Sequence, residues 1–135
     1  MRDTVEDLKQ VPLFADLDKR QLRKLAGSAR ERILTPGATP VLEGTMSGIG
    51  FFVVADGEAD VSVNGNVVAT LKPGDLFGES ALVSEGKRTA TVTATTDLRL
   101  LEIPFYDFRE FALNNPDVTW KLLQHVVAAL NKTDP

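Results

Sequence analysis

Two hydrophobic periods alternate along the chain. Between Asp18 and about Arg30, Leu22, Leu25, Ala26 and Ala29 recur at helical spacing, with Lys19, Arg20, Arg23 and Lys24 around the rest. That pattern predicts an amphipathic helix with a solvated basic side. A shorter apolar face of Leu8, Val11, Leu13 and Phe14 precedes it and is interrupted at Pro12. Thr4 reads as the N-cap of that first helix, with Asp7 three residues on as a variant capping box.

From Ile33 to Ile103 the period shortens. β-type runs such as Phe51–Val54, Ala59–Val63 and Val67–Leu71 alternate with turn signals at Pro36-Gly37, Glu43-Gly44 and Asp56-Gly57. Asn64-Gly65 between Val63 and Val67 predicts a hairpin. Thr91–Thr96 and Leu98–Ile103 supply two further strands. Closely spaced short strands without intervening helices predict a small antiparallel barrel or roll. Beyond Pro104 the helical period returns. Phe105, Phe108, Phe111 and Ala112 form one face, Asn114-Asn115-Pro116 breaks it, and a last helix runs from Pro116 to about Lys132. Its apolar residues, Val118, Leu122, Leu123, Val126, Val127 and Leu130, cover a wider face than a surface helix needs. That face can pack on the roll, pair with a second copy, or do both.

The candidate chemistry lies in GDLFGESALVSEGKRTA, residues 74–90. Pro73-Gly74-Asp75 signals a turn, and Gly78–Leu82 reads as one short helical turn. The N-terminus of such a turn presents unpaired N–H groups and a partial positive charge, which suit an anion. Arg88 and Thr89 return a guanidinium and a hydroxyl at the start of a β run, and a planar Arg fork matches phosphate oxygens in pairs. Glu79 beside that seat is unsuited to phosphate but can accept a hydrogen bond from a sugar hydroxyl.

Phe77-Gly78-Glu79-Ser80-Ala81-Leu82, followed by Arg88-Thr89-Ala90, resembles the phosphate-binding cassette of the cyclic nucleotide-binding domains. That family includes the regulatory subunits of protein kinase A, cyclic-nucleotide-gated channels and the bacterial catabolite activator protein. Leu13-Phe14, Pro36-Gly37, Glu43-Gly44, Asp56-Gly57-Glu58 and Gly74-Asp75 fall where the family has its glycine-punctuated β-roll, so the resemblance covers roughly the whole chain. Ser47-Gly48-Ile49-Gly50 departs from it, being richer in glycine than the usual acidic turn.

The resemblance implies an α+β fold: an antiparallel β-roll, or jelly-roll-like barrel, at about 33–103, with N-terminal helices at about 4–30. A short cassette helix and two C-terminal helices at about 104–132 complete one domain over residues 1–135. It implies phosphate contacts from Arg88, Thr89 and the backbone of Ser80 and Ala81, and ribose contacts from Gly78 and Glu79. Val61, Val68 and Leu71 would line the purine slot. Of two candidates on the last helix for closing over the base, Thr133 matches the position better than Trp120. The ligand is cAMP in preference to cGMP, no cofactor or metal is needed, and the chain is a sensor, not an enzyme. Its partner is a second copy or a tethered effector, reached through the last helix. Many bacterial members carry a helix-turn-helix after that helix. This sequence shows none, which leaves a stand-alone regulator, a domain of a longer protein, or the ligand-binding half of a transcription regulator.

Composition narrows the alternatives. A net charge of −4 and a pI near 5.0 argue against general nucleic-acid binding and require a local positive site for any anionic ligand. There are no cysteines, so no disulfide framework or thiolate chemistry. No apolar run reaches a membrane span, and the N-terminus is too polar for a signal peptide, which predicts a cytoplasmic protein. A small metal-dependent barrel enzyme of the cupin type needs several histidines, and His125 is the only one. A scaffold with the same fold and an unused pocket is the remaining rival, and the intact Glu79 and Arg88 count against it.

Overall fold

The computed structural model describes residues 3–44, 50–78 and 88–133, with residues 129–133 as backbone. The chain opens with α1 (Thr4–Lys9), a 3₁₀ turn (Pro12–Phe14) and α2 (Lys19–Ser28). Asp3, not Thr4, caps α1: its side chain accepts from the Glu6 N–H at 2.9 Å, one residue earlier than the sequence suggested. Asp7 is thereby free of capping duty and is buried. Asp18 caps α2 in a full capping box with Gln21.

Among the described residues seven strands follow: β1 (Arg30–Leu34), β2 (Gly50–Asp56), β3 (Ala59–Val63), β4 (Asn66–Leu71), β5 (Leu76–Phe77), β6 (Thr91–Ala94) and β7 (Leu98–Pro104). They form two antiparallel sheets, ordered β1-β7-β2-β5 and β4-β3-β6. The β-roll is as expected, but the sheets do not close into a barrel. A bridge from Val41 to Val92 lies outside the named strands. The predicted hairpin joins β3 to β4 through Asn64 and Gly65, at φ 52° and 82°. Positive φ at both central residues is what a two-residue turn matching the strand twist needs.

Pro104 ends β7 and leads into α3 (Phe105–Asn114); Asn115 separates it from α4 (Pro116–Thr133). Alternation along β2 divides the core in two. Phe51, Val53 and Ala55 join Leu8, Phe14, Leu25, Phe108 and Phe111 under the helices. Phe52 and Val54 turn the other way, to Val41, Phe77, Val92, Ala94 and Leu100 between the sheets. Such alternation is the period-2 geometry of a strand buried on both faces.

Candidate functional site

Arg88 is held in place by its own backbone before its side chain is considered. Its carbonyl accepts from the Gly44 N–H at 2.9 Å, and four residues on, the Val92 N–H donates to the Val41 carbonyl at 2.8 Å. Thr91 Oγ1 accepts from the Glu43 N–H at 2.9 Å. Val41–Gly44 therefore runs alongside Arg88–Val92 and fixes where the guanidinium starts. From there the fork reaches across to β2 and β5: Nη1 donates to the Gly78 carbonyl and Nη2 to the Gly50 carbonyl, each at 3.2 Å. The sequence reading paired Arg88 with the turn that opens at Gly78, and the structure brings those two together.

Two glycines make this approach feasible. Gly78 sits at φ +81°, and a Cβ there would lie 3.0 Å from Arg88 Nη1 and 3.7 Å from a ring carbon of Phe52. At Gly50 a Cβ would come within 2.4 Å of the Ile103 carbonyl oxygen, so β2 can lie this close to β7 only without a side chain. The Gly50 carbonyl as second acceptor escaped the sequence reading, which saw only the glycine-rich run before it. Phe52 and Phe77 stack beside Gly78, with ring centroids 4.9 Å apart and an interplanar angle of 16°.

The electrostatics of Arg88 are unusual for a surface strand residue. Burial pushes its guanidinium down from its ordinary value, only partly offset by the field of Glu102. Among the described residues it forms no ion pair. Its carbonyl partners carry partial, not full, negative charge, and the side chain stays protonated at neutral pH. A half-buried cation whose burial is only partly offset is a costly arrangement that an anion would relieve.

The other candidate positions fall into three groups. Glu79, Ser80 and Ala81 lie outside the described residues, as does the side chain of Thr133, the last residue of α4. Val61 and Leu71 are half-buried and pack against the same cluster as Phe52 and Phe77, with Val61 paired to Val92 across the sheet. Val68 sits at the irregularity in the β3–β4 register and is 61% exposed, and Thr89 is exposed. Trp120 is 62% exposed on α4, not the half-buried anchor its residue type favours.

Residues 31–115, more than half of the chain, match the family model for the cyclic nucleotide-binding domain. A cAMP-dependent protein kinase regulatory subunit from Yarrowia lipolytica is 38% identical over 95% of this chain, which spans 32% of that protein's length. The catabolite activator protein of Thermus thermophilus superposes with a TM-score of 0.82 at 27% identity, over 91% of this chain and 60% of that one. The regulatory domain of Toxoplasma gondii protein kinase A, crystallised with cAMP, gives 0.78 at 26% identity, over 93% and 49%. With the Arg88–Gly78 geometry in a matching fold, the chain belongs to the cyclic nucleotide-binding domain family.

Proposed function

We propose that residues 1–135 form one sensor domain that binds cAMP in preference to cGMP and performs no chemistry on it. The observation that carries this reading is the half-buried Arg88 fork, aimed at Gly78 and, among the described residues, in no ion pair. In this reading the cyclic phosphate takes a charge-assisted bidentate contact from Arg88 and N–H donors from Ser80 and Ala81, with Thr89 beside them. Gly78 and Glu79 take the ribose, and Val61, Val68, Leu71 and Thr133 flank the base. The kinship with kinase regulatory subunits and the cAMP-bound neighbour support cAMP as ligand.

Occupancy would be relayed to a partner through the terminal helices, by way of β2. The Gly50 carbonyl touches Arg88, and the next residue, Phe51, packs edge-on against Phe108 of α3 at 4.9 Å between centroids. A shift in Arg88 is thus one peptide away from the helical core. A ligand biases that core only to the extent that it binds one arrangement better than another. Among the described residues no helix is long and apolar enough to cross a membrane, and we place the domain in the cytoplasm. Calorimetric titration of the protein and of Arg88→Leu with cAMP and cGMP tests the reading. Equal or tighter binding of cGMP overturns the preference, and no binding of either overturns the function.

A further inference from the structure

α2 and the strand residue that follows carry Lys19, Arg20, Arg23, Lys24 and Arg30 with no acidic residue among them, five of the chain's 15 basic residues in an acidic protein. All five are exposed, and among the described residues none forms an ion pair. Lys19 and Arg20 occupy the first turn, the positive end of the helix, where acidic residues are favoured. The buried stripe runs through Leu22 and Leu25, and at 3.6 residues per turn Arg20, Lys24 and Gly27 point the opposite way.

Gly27 is the second observation. It lies in the last turn of α2, still at helical residues, where glycine is weaker than alanine. A Cβ there would meet nothing within 4 Å, and its φ is ordinary, so neither crowding nor backbone conformation inside this chain calls for it. It sits one turn from both Arg23 and Lys24 and leaves a bare step between Lys24 and Arg30, where another chain's backbone can approach. Unpaired like charges, cations at the wrong helix end and an uncalled-for glycine all work against α2, and all fall on one face. Local departures without an internal compensation mark a surface kept for something outside the fold.

We propose that the solvent face of α2, running from Arg20 through Lys24 to Gly27, docks a short acidic segment of a partner protein. The helix spans about 15 Å, room for a few extended residues. Its margins are acidic: Asp16 and Asp18 precede it, and Asp107 and Glu110 face Lys24 and Arg30 across a cleft of about 420 Å³. A long polyanion such as nucleic acid, or the plane of an anionic bilayer, meets those carboxylates. A segment of a few carboxylates fits between them. The surface stands apart from Arg88, so the proposal does not depend on the nucleotide reading.

The test is fluorescence polarisation of the whole chain with a labelled decapeptide carrying four spaced glutamates, beside its glutamine counterpart, a single-stranded DNA decamer and phosphatidylserine vesicles. The glutamate peptide is expected to bind and the glutamine peptide not. The Arg20→Glu/Lys24→Glu double variant is expected to lose about tenfold in affinity, and Gly27→Ala about threefold, although neither touches the buried stripe. Melting curves confirm that both variants fold. Absence of glutamate-peptide binding, unchanged affinity in either variant, or tighter binding of DNA or vesicles than of the peptide overturns the proposal.

Discussion

At the residue scale the site depends on one side chain held between two carbonyls. A hydrogen bond to a charged group contributes roughly 1.5–3 kcal/mol, so removing a two-pronged phosphate contact in Arg88→Leu is expected to weaken cAMP binding by about two to four decades. Arg88→Lys keeps the charge but cannot reach both acceptors, and its affinity is expected to fall between the two. Calorimetry on the three proteins gives that order; a Lys variant as tight as the parent would mean that charge alone matters. Gly78→Ala is a sharper probe of geometry. It forces an L-residue to φ +81° and sets a methyl 3.0 Å from Arg88 Nη1. The backbone cost alone is about 1–2 kcal/mol, and we expect a loss of both stability and cAMP affinity by melting and titration. A lower melting point with cAMP affinity intact would show that the guanidinium does not depend on this glycine. The importance of Arg88 was readable because its motif is local: Gly78 and Arg88 are ten residues apart. The Gly50 carbonyl was not, because a backbone acceptor 38 residues away leaves no side-chain signature.

Elements are tied together by a cluster that the sequence reading missed. Arg99 on β7 reaches Asp7 of α1 at 2.7 Å, Glu31 of β1 at 2.7 Å and Asp56 of β2 at 3.3 Å. Burial would lower this guanidinium, but hydrogen bonds to Glu31 and Asp7 outweigh it and raise it above its ordinary value. One arginine thus fastens the first helix to three strands. Asp7 was read as a capping residue because it lies three residues after Thr4. Moving the cap to Asp3 turns it inward, and a partner 92 positions later is invisible to any local pattern. Arg99 keeps Glu31 and Asp56 when Asp7 is removed, so the loss falls short of an orphaned buried charge and is that of a buried hydrogen bond to a charged group. Asp7→Ala is expected to lose about 1.5–3 kcal/mol in chemical denaturation, and Glu31→Gln, at a half-exposed carboxylate, under about 1 kcal/mol. Similar losses in the two variants would show that Asp7 is not the anchor. α2 offers the opposite sign. Gly27→Ala fills open space in the last turn of α2 and is expected to gain up to about 0.5 kcal/mol.

For the whole molecule, hydrophobic period sufficed to place the helices and most strands, since each pattern is written within a dozen residues. The pairing order β1-β7-β2-β5 and the open edge between the sheets were not legible, because strand order is decided by contacts between distant segments. Nor does period alone show that β2 separates two cores. That arrangement gives the molecule one global response to ligand: anything that steadies Arg88 steadies Gly50, and through β2 both cores at once. A ligand that binds only the folded state adds RT ln(1 + [L]/Kd), about 2.7 kcal/mol at a hundredfold excess over Kd. Scanning calorimetry is therefore expected to show one transition that moves up by several degrees with cAMP. At the same concentration cGMP, the weaker ligand, should move it less. The shift should vanish in Arg88→Leu but persist, from a lower starting point, in Asp7→Ala, because the Arg99 cluster stabilises the fold without touching Arg88. Two separate transitions, with only one responding to cAMP, would show that β2 does not join the cores into one cooperative unit. A shift retained in full by Arg88→Leu would place the nucleotide elsewhere on the molecule.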